Sequence, residues 1–287
     1  MSLAALLLAA GAAGTLYLLS RPASASTDPV PTPPPPQPPK PGAKKTPPPS
    51  SPAKPTEAPP PKAPKVEAPK QGALSDDSEA GGLLIRAIRA GQHERITWTP
   101  IRVEDITVIM AADAVRARVG GEALRLPITY AEQIEAARII GAVSPTKEII
   151  DAAYRQSDPR VPFVGLTKDT ADLARMGTLG VVRRFNATID KARGAAEADQ
   201  MCFAGKAWIV NNALRAKGAV NYGAFGRDGV PIQTVCERHC HGPSHYDYSQ
   251  LLWLVRREAI GSKGEAIDIL DWMRSKGIRE EWLRPYR

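Results

Sequence analysis

Between Cys236 and His245 the chain concentrates three of its four histidines and two of its three cysteines. Cysteine and histidine are the borderline-soft ligands that zinc prefers, and an aspartate can complete the tetrahedron. Cys236, His239, Cys240, His241 and His245 therefore form a candidate metal site, and zinc is the ion such a set would take. With one coordination position open, that ion would activate water. The spacing matches no zinc finger or ribbon, and Gly242-Pro243 reads as a loop rather than a helical turn. Two other readings fit the same residues. One is a disulfide, either Cys236 to Cys240 or Cys202 to one of them, which an exported domain would permit. The other is a polar loop whose histidines satisfy backbone groups and whose cysteines are small buried side chains.

The same stretch could carry acid–base or nucleophilic chemistry. Imidazole titrates near neutral pH, so His239 and His245 are the best-suited general bases. Asp247 could orient one of them, Ser249 could attack, and Tyr248 could donate to a developing oxyanion. If residues 246–254 form a strand, Asp247 and Ser249 share one face and Tyr246 and Tyr248 the other. Cys202 is a weaker nucleophile candidate, with Lys206 four residues on to lower its pKa. The chain has no phosphate-binding Walker loop, no dinucleotide fingerprint and no His-Glu-x-x-His.

Positioning these residues requires a folded domain, and the composition locates it. Twenty of the 28 prolines fall between Pro22 and Lys70, a stretch of 49 residues with no aromatic and seven lysines against three acids. Prolines at this density exclude helix and sheet interior and favour polyproline II. Fully extended, the stretch would reach on the order of 150 Å. Residues 22–74 are thus expected to be a disordered Pro/Lys linker. Residues 75–287 are left as the globular part, with room for a sub-boundary near Arg160. Ahead of the linker, Ser2 to Ser20 is uncharged and rich in Leu and Ala. It is long enough to just span the hydrocarbon core as one helix. Residues 1–21 read as a membrane anchor or signal segment. The anchor is favoured because no Lys or Arg precedes the apolar run, although Ala23-Ser24-Ala25 has the form of a cleavage site.

Charge and cysteine count exclude several classes. Of the net charge of +8, the linker supplies +4 and Arg21 +1, leaving about +3 for the last 217 residues. With no Lys/Arg stripe interleaved with aromatics there, a nucleic-acid site is not expected. Three cysteines cannot build a disulfide-dense scaffold, and one apolar run cannot make a polytopic membrane protein.

Within the globular part, Ser78–Arg89 reads as a helix, Arg95–Thr99 and Ile106–Met110 as strands, and Gly120-Gly121 as a turn before Ala123–Leu126. Thr129 with Glu132 forms a capping box for a helix ending at Gly141. Ser144-Pro145 predicts an N-cap and first helical residue for the next. A long helical pattern covers Asp169 to Ala195. Strands follow at Ala207–Val210, Ala219–Phe225 and Ile232–Cys236, the last two joined by a turn at Gly226–Gly229. Glu265–Ser275 predicts a final amphipathic helix stopped by Gly277. Helices and strands do not alternate strictly, so the class is α+β, preceded by one apolar helix and the disordered linker.

Two resemblances follow from these residues. The first 70 residues resemble, by composition alone, the anchor and Pro/Lys spacer of TonB-type envelope proteins. The segments Pro127-Ile-Thr-Tyr130-Ala131-Glu132 to Pro145-Thr146 and Asp151 to Tyr154 carry the second. With them go Asp228-Gly229-Val-Pro231-Ile232-Gln233, His239 and Asp247-Tyr248-Ser249. Together they resemble motifs recurring in an uncharacterised family of bacterial and phage proteins. That resemblance implies that His239 and the Asp-Tyr-Ser unit belong together; it supplies no activity. The leading expectation is a membrane-tethered hydrolase of peptidoglycan or its peptides, using the His/Cys/Asp/Ser cluster. The alternative is a non-enzymatic binding or structural module of the envelope or a phage virion, with the cluster as a zinc or disulfide staple.

Overall fold

The computed structural model describes residues 74–166, 175–213, 219–235 and 242–287. The N-terminal apolar segment and the linker lie outside the described residues, as do Cys236, His239, Cys240 and His241. Among the described residues no helix is long and apolar enough to cross a membrane.

The described chain is α+β. Its largest sheet is antiparallel, built from β1 (Trp98–Val103), β2 (Ile106–Ala111), β5 (Ala142–Val143), β9 (Val255–Ile260) and β10 (Ala266–Asp268). The order is β1-β2-β9-β10, with β5 also pairing with β9. A hairpin of β3 (Arg116–Val119) and β4 (Glu122–Arg125) turns at Gly120 and Gly121, both at positive φ. A third sheet runs β6 (Lys206–Trp208), β7 (Asn221–Phe225) and β8 (Pro231–Gln233), with Gly226–Gly229 as the turn between the last two.

The helices are α1 (Leu83–Arg89), α2 (Tyr130–Ile140), α3 (Lys147–Gln156), α4 (Leu179–Arg193), α5 (Ile269–Ser275) and α6 (Glu280–Leu283). The capping box of α2 forms as its sequence requires. Glu132 N donates to Thr129 Oγ1 at 3.2 Å, Thr129 N donates to Glu132 Oε2 at 3.0 Å, and Gly141 closes the helix at φ 73°. One hydrophobic core contains residues on both sides of Arg160, from Ala80 to Tyr286.

Several elements differ from the sequence reading. α1 begins at Leu83 rather than Ser78, because the backbone of residues 76–80 is bonded across to the start of α4: Ala80 N to Gly177 O, Leu179 N to Ser78 O and Gly180 N to Asp76 O. Ser144 is not an N-cap. It is buried and accepts from Gln133 Nε2 at 2.7 Å and Tyr286 Oη at 2.8 Å, while Thr146 sits at the N-cap of α3. Ala266–Asp268 pairs with β9, and only then does Asp268 cap α5 by accepting from Leu270 N at 2.9 Å.

Residues 246–254 do not form the strand on which a shared face for Asp247 and Ser249 depended, but a turn followed by a buried extended thread. Leu251 to Val255 is fully buried. The thread is held by backbone bonds to several separate segments: Leu251 N to Lys206 O, Ile128 N to Gln250 O, Val115 N to Leu252 O and Ala111 N to Leu254 O. Fully burying one such aliphatic or aromatic side chain is worth about 1.5–3 kcal/mol. This thread therefore fixes the segments it touches, Lys206 among them.

Candidate functional site

Asp247 is the centre of the described site. Its Oδ1 accepts from Ser249 N at 2.8 Å and from Ser249 Oγ at 2.6 Å, an Asx-turn in which the side chain takes the place of a backbone turn acceptor. Gln250 N donates to Asp247 O at 3.0 Å, and Gln250 Oε1 accepts from Asp247 N at 3.0 Å. The local sequence Asp-Tyr-Ser-Gln thus closes on itself before the apolar thread begins.

The second carboxylate oxygen meets a cation from another element. Lys206 Nζ lies 2.6 Å from Asp247 Oδ2, and both side chains are 11% exposed. Two features bring Lys206 there. Lys206 N donates to Ser249 O at 2.7 Å and Leu251 N to Lys206 O at 3.0 Å, so the two chains run side by side. Gly205 permits that approach: it has φ 68°, and a Cβ on it would meet Ser249 O at 2.6 Å.

Burial opposes the ionised form of Asp247. The Lys206 ammonium, with the two Ser249 donors, outweighs that effect and holds the carboxyl below its ordinary range. Lys206 and Asp247 are thereby both charged, paired and nearly dry.

The neighbours of Asp247 have separate tasks. Tyr248 is buried; its N donates to Met176 O at 3.0 Å and its Oη accepts from Leu166 N at 2.9 Å. Its ring meets Phe185 edge-on, centroids 5.1 Å apart, and lies parallel to Phe163 at 6.5 Å. Ser249 is 1% exposed. His245 is half-buried, with Nε2 3.9 Å from Asp247 Oδ2. Burial lowers its pKa below the ordinary imidazole value; Asp247 opposes that and Lys206 reinforces it. Tyr246 Oη donates to Glu79 Oε2 at 2.6 Å, its ring lying where a Cβ on Gly81 would fall.

Of the residues the sequence singled out, His245, Asp247, Tyr248 and Ser249 are described, and Asp247 is the member that touches Ser249 and faces His245. Of the Ser249 and Tyr248 hydroxyls only that of Ser249 donates; Tyr248 Oη accepts. Ser249 Oγ donates to a carboxylate already paired with Lys206, so the geometry makes it a support of the turn. Tyr248 Oη is engaged by a backbone amide. Cys202 is a free, fully buried thiol whose pKa burial, with Asp113 nearby, pushes up to about 11, which fits a small core side chain and not the weaker alternative of a thiolate nucleophile.

Among the described residues, no group of three or more His, Cys, Asp and Glu converges on a point that could hold a metal. Four of the five zinc candidates lie outside those residues, and the oxygens of Asp247 are engaged by Lys206 and Ser249.

Lys206 is the residue that sequence reasoning missed as a partner of Asp247. A signal was present: it is the lone cation in Met201-Cys-Phe-Ala-Gly-Lys-Ala-Trp-Ile-Val210, and an ammonium in such a run needs a buried anion. Compared with protein-family models, with curated proteins and with solved structures, the chain finds no match.

Proposed function

We propose that the chain is a membrane-tethered module of the cell envelope whose globular part binds and holds rather than cleaves. The observation that carries this reading is the commitment of Asp247, Tyr248 and Ser249 to partners inside the fold. A nucleophilic serine must present its oxygen to substrate and to a base. Ser249 is buried, and its hydroxyl hydrogen goes to an ion-paired carboxylate. The Asp-Tyr-Ser unit then acts as a lock that ties β6, the 176 region and the apolar thread together. The uncharged N-terminal segment would anchor the chain, and the Pro/Lys linker would carry the module across the envelope toward peptidoglycan, its proposed partner. In this reading a zinc ion or a disulfide at residues 236–241 staples the loop ahead of the turn.

A second reading, hydrolysis of peptidoglycan, is favoured by one observation. His245 is half-buried, faces Asp247 at 3.9 Å and has its pKa lowered by burial, which favours the base form of the ring.

One experiment separates the two. The full chain is incubated with purified peptidoglycan sacculi, and both the bound protein and the soluble fragments are measured. The binding reading expects the chain to sediment with the sacculi and no fragments beyond the buffer control. Fragment release that stops in His245→Ala, with the melting temperature unchanged, overturns it in favour of hydrolysis. Neither retention nor release removes peptidoglycan as the partner.

A further inference from the structure

Far from Asp247 in the sequence, a second aspartate organises a different set of charges. Asp113 Oδ2 accepts from Arg116 Nη2 at 2.5 Å, Arg125 Nη2 at 2.7 Å and Arg193 Nη1 at 2.5 Å. Its Oδ1 accepts from Arg125 Nε at 2.7 Å and Ala114 N at 2.8 Å. Arg125, the last residue of β4, is fully buried and bonded to α4. Its Nη1 donates to Asp190 Oδ1 at 2.8 Å, and its backbone N–H and C=O are both met by the Asn186 side chain.

These groups border a cavity of about 500 Å³ lined by Asp113, Arg116, Asp190, Arg193 and Arg95 among others. The wall also holds Glu94, whose carboxylate is 2.7 Å from Arg118 and so is neutralised from outside. Arg95 makes no ion pair and no side-chain hydrogen bond among the described residues. The cavity wall therefore presents Arg95, Arg116 and Arg193 together with Asp113 and Asp190, while the fully buried Arg125 lies behind that wall. Both aspartates are already engaged by Arg125. Two positive charges are left over. Arg193 Nη2 donates to Glu197 O at 2.9 Å, so the donors left for an oxyanion are chiefly those of Arg95 and the remaining N–H groups of Arg116, in a fork that suits oxyanions.

Arg95 and Ile96 also line an adjoining groove of about 630 Å³. Its walls are largely apolar: Trp98, covered by Arg256 at 5.1 Å from the ring centroid, with Ile140 and the 49% exposed Ile139. A charged basin and an apolar groove thus meet at one arginine.

The geometry points to a binding site for a doubly charged oxyanion in the arginine basin, with an apolar body attached to that anion lying in the groove beside Trp98. A phosphate monoester and a dicarboxylate share this chemistry. This inference is independent of the reading of Asp247.

The test is titration calorimetry of the full chain at about pH 8, where a phosphate monoester carries close to two charges, and at matched ionic strength. The probes are inorganic phosphate, phenyl phosphate and glutarate. Binding of a dianion is expected, with phenyl phosphate tighter than inorganic phosphate; tighter glutarate instead would assign the anion to the dicarboxylate class. Arg95→Gln should weaken the preferred probe about tenfold, the loss of one charge-assisted contact, with no change in melting temperature. Absence of heat for all three probes up to about 10 mM, weaker than any specific site, overturns the proposal. So does unchanged affinity in both Arg95→Gln and Arg116→Gln.

Discussion

Asp247 and Asp113 are both nearly buried carboxylates held ionised by cations, and their surroundings differ in number and in openness. Asp247 has one cation, Lys206, and its remaining oxygen is filled by Ser249, so charge and hydrogen bonds close within the fold. Asp113 has three arginines and sits beside a cavity with positive charge to spare. A one-to-one buried pair has no reserve: losing either partner strands the other. A crowded arginine set has reserve, and the surplus can serve a ligand. The difference teaches that burial of a charge alone does not mark a binding site; the local balance and the open space beside it do.

This contrast gives unequal costs for equal chemical changes. Lys206→Met leaves Asp247 buried without a cation and should cost about 3–5 kcal/mol, the range for breaking a buried pair, as a fall in the denaturant midpoint of unfolding. Gly205→Ala attacks the same pair through the backbone. At φ 68°, with Ser249 O in the way of a Cβ, it should cost about 1–3 kcal/mol. Arg116→Gln removes one of three cations from Asp113 and should cost only about 1 kcal/mol, because Arg125 and Arg193 remain. A cost at Arg116 equal to that at Lys206 would remove the contrast.

The smallest effect concerns pH. Burial lowers the His245 pKa in the fold, against an ordinary value near 6.5. The unfolded chain then binds more protons than the folded one, so stability rises with pH through this window and falls as pH drops below about 6.5. His245→Gln should shrink the difference in unfolding midpoint between about pH 7.5 and 5.5. An unchanged difference would mean that the site does not lower the pKa of the ring.

Elements whose signals are local were legible in the sequence. The α2 capping box with Gly141, the Gly120-Gly121 turn, β2 and the Gly226–Gly229 turn all rest on nearby residues, and all stand in the fold. β9 was not legible. Val255-Arg-Arg-Glu-Ala-Ile260 has three consecutive charged residues and good helix formers, yet it is the strand that joins β2, β5 and β10. Partners far along the chain override its propensity. The site divides in the same way. The Asp-Tyr-Ser unit could be singled out because its residues are adjacent. Its cation, Lys206, is 41 positions away and reaches Asp247 only because Gly205 lets two backbones meet. The arginine basin draws on β3, β4 and α4, and no spacing in the sequence announces it.

The most direct test of the lock at Asp247 is a double-mutant cycle on the full chain: unfolding free energies of the parent, Lys206→Met, Asp247→Leu and the double variant. The account predicts that the double variant loses less than the sum of the single losses, by about 1.5–3 kcal/mol, the upper part of the range for coupled contacts. A double loss equal to the sum would show that the two residues do not support one another, and would contradict the account.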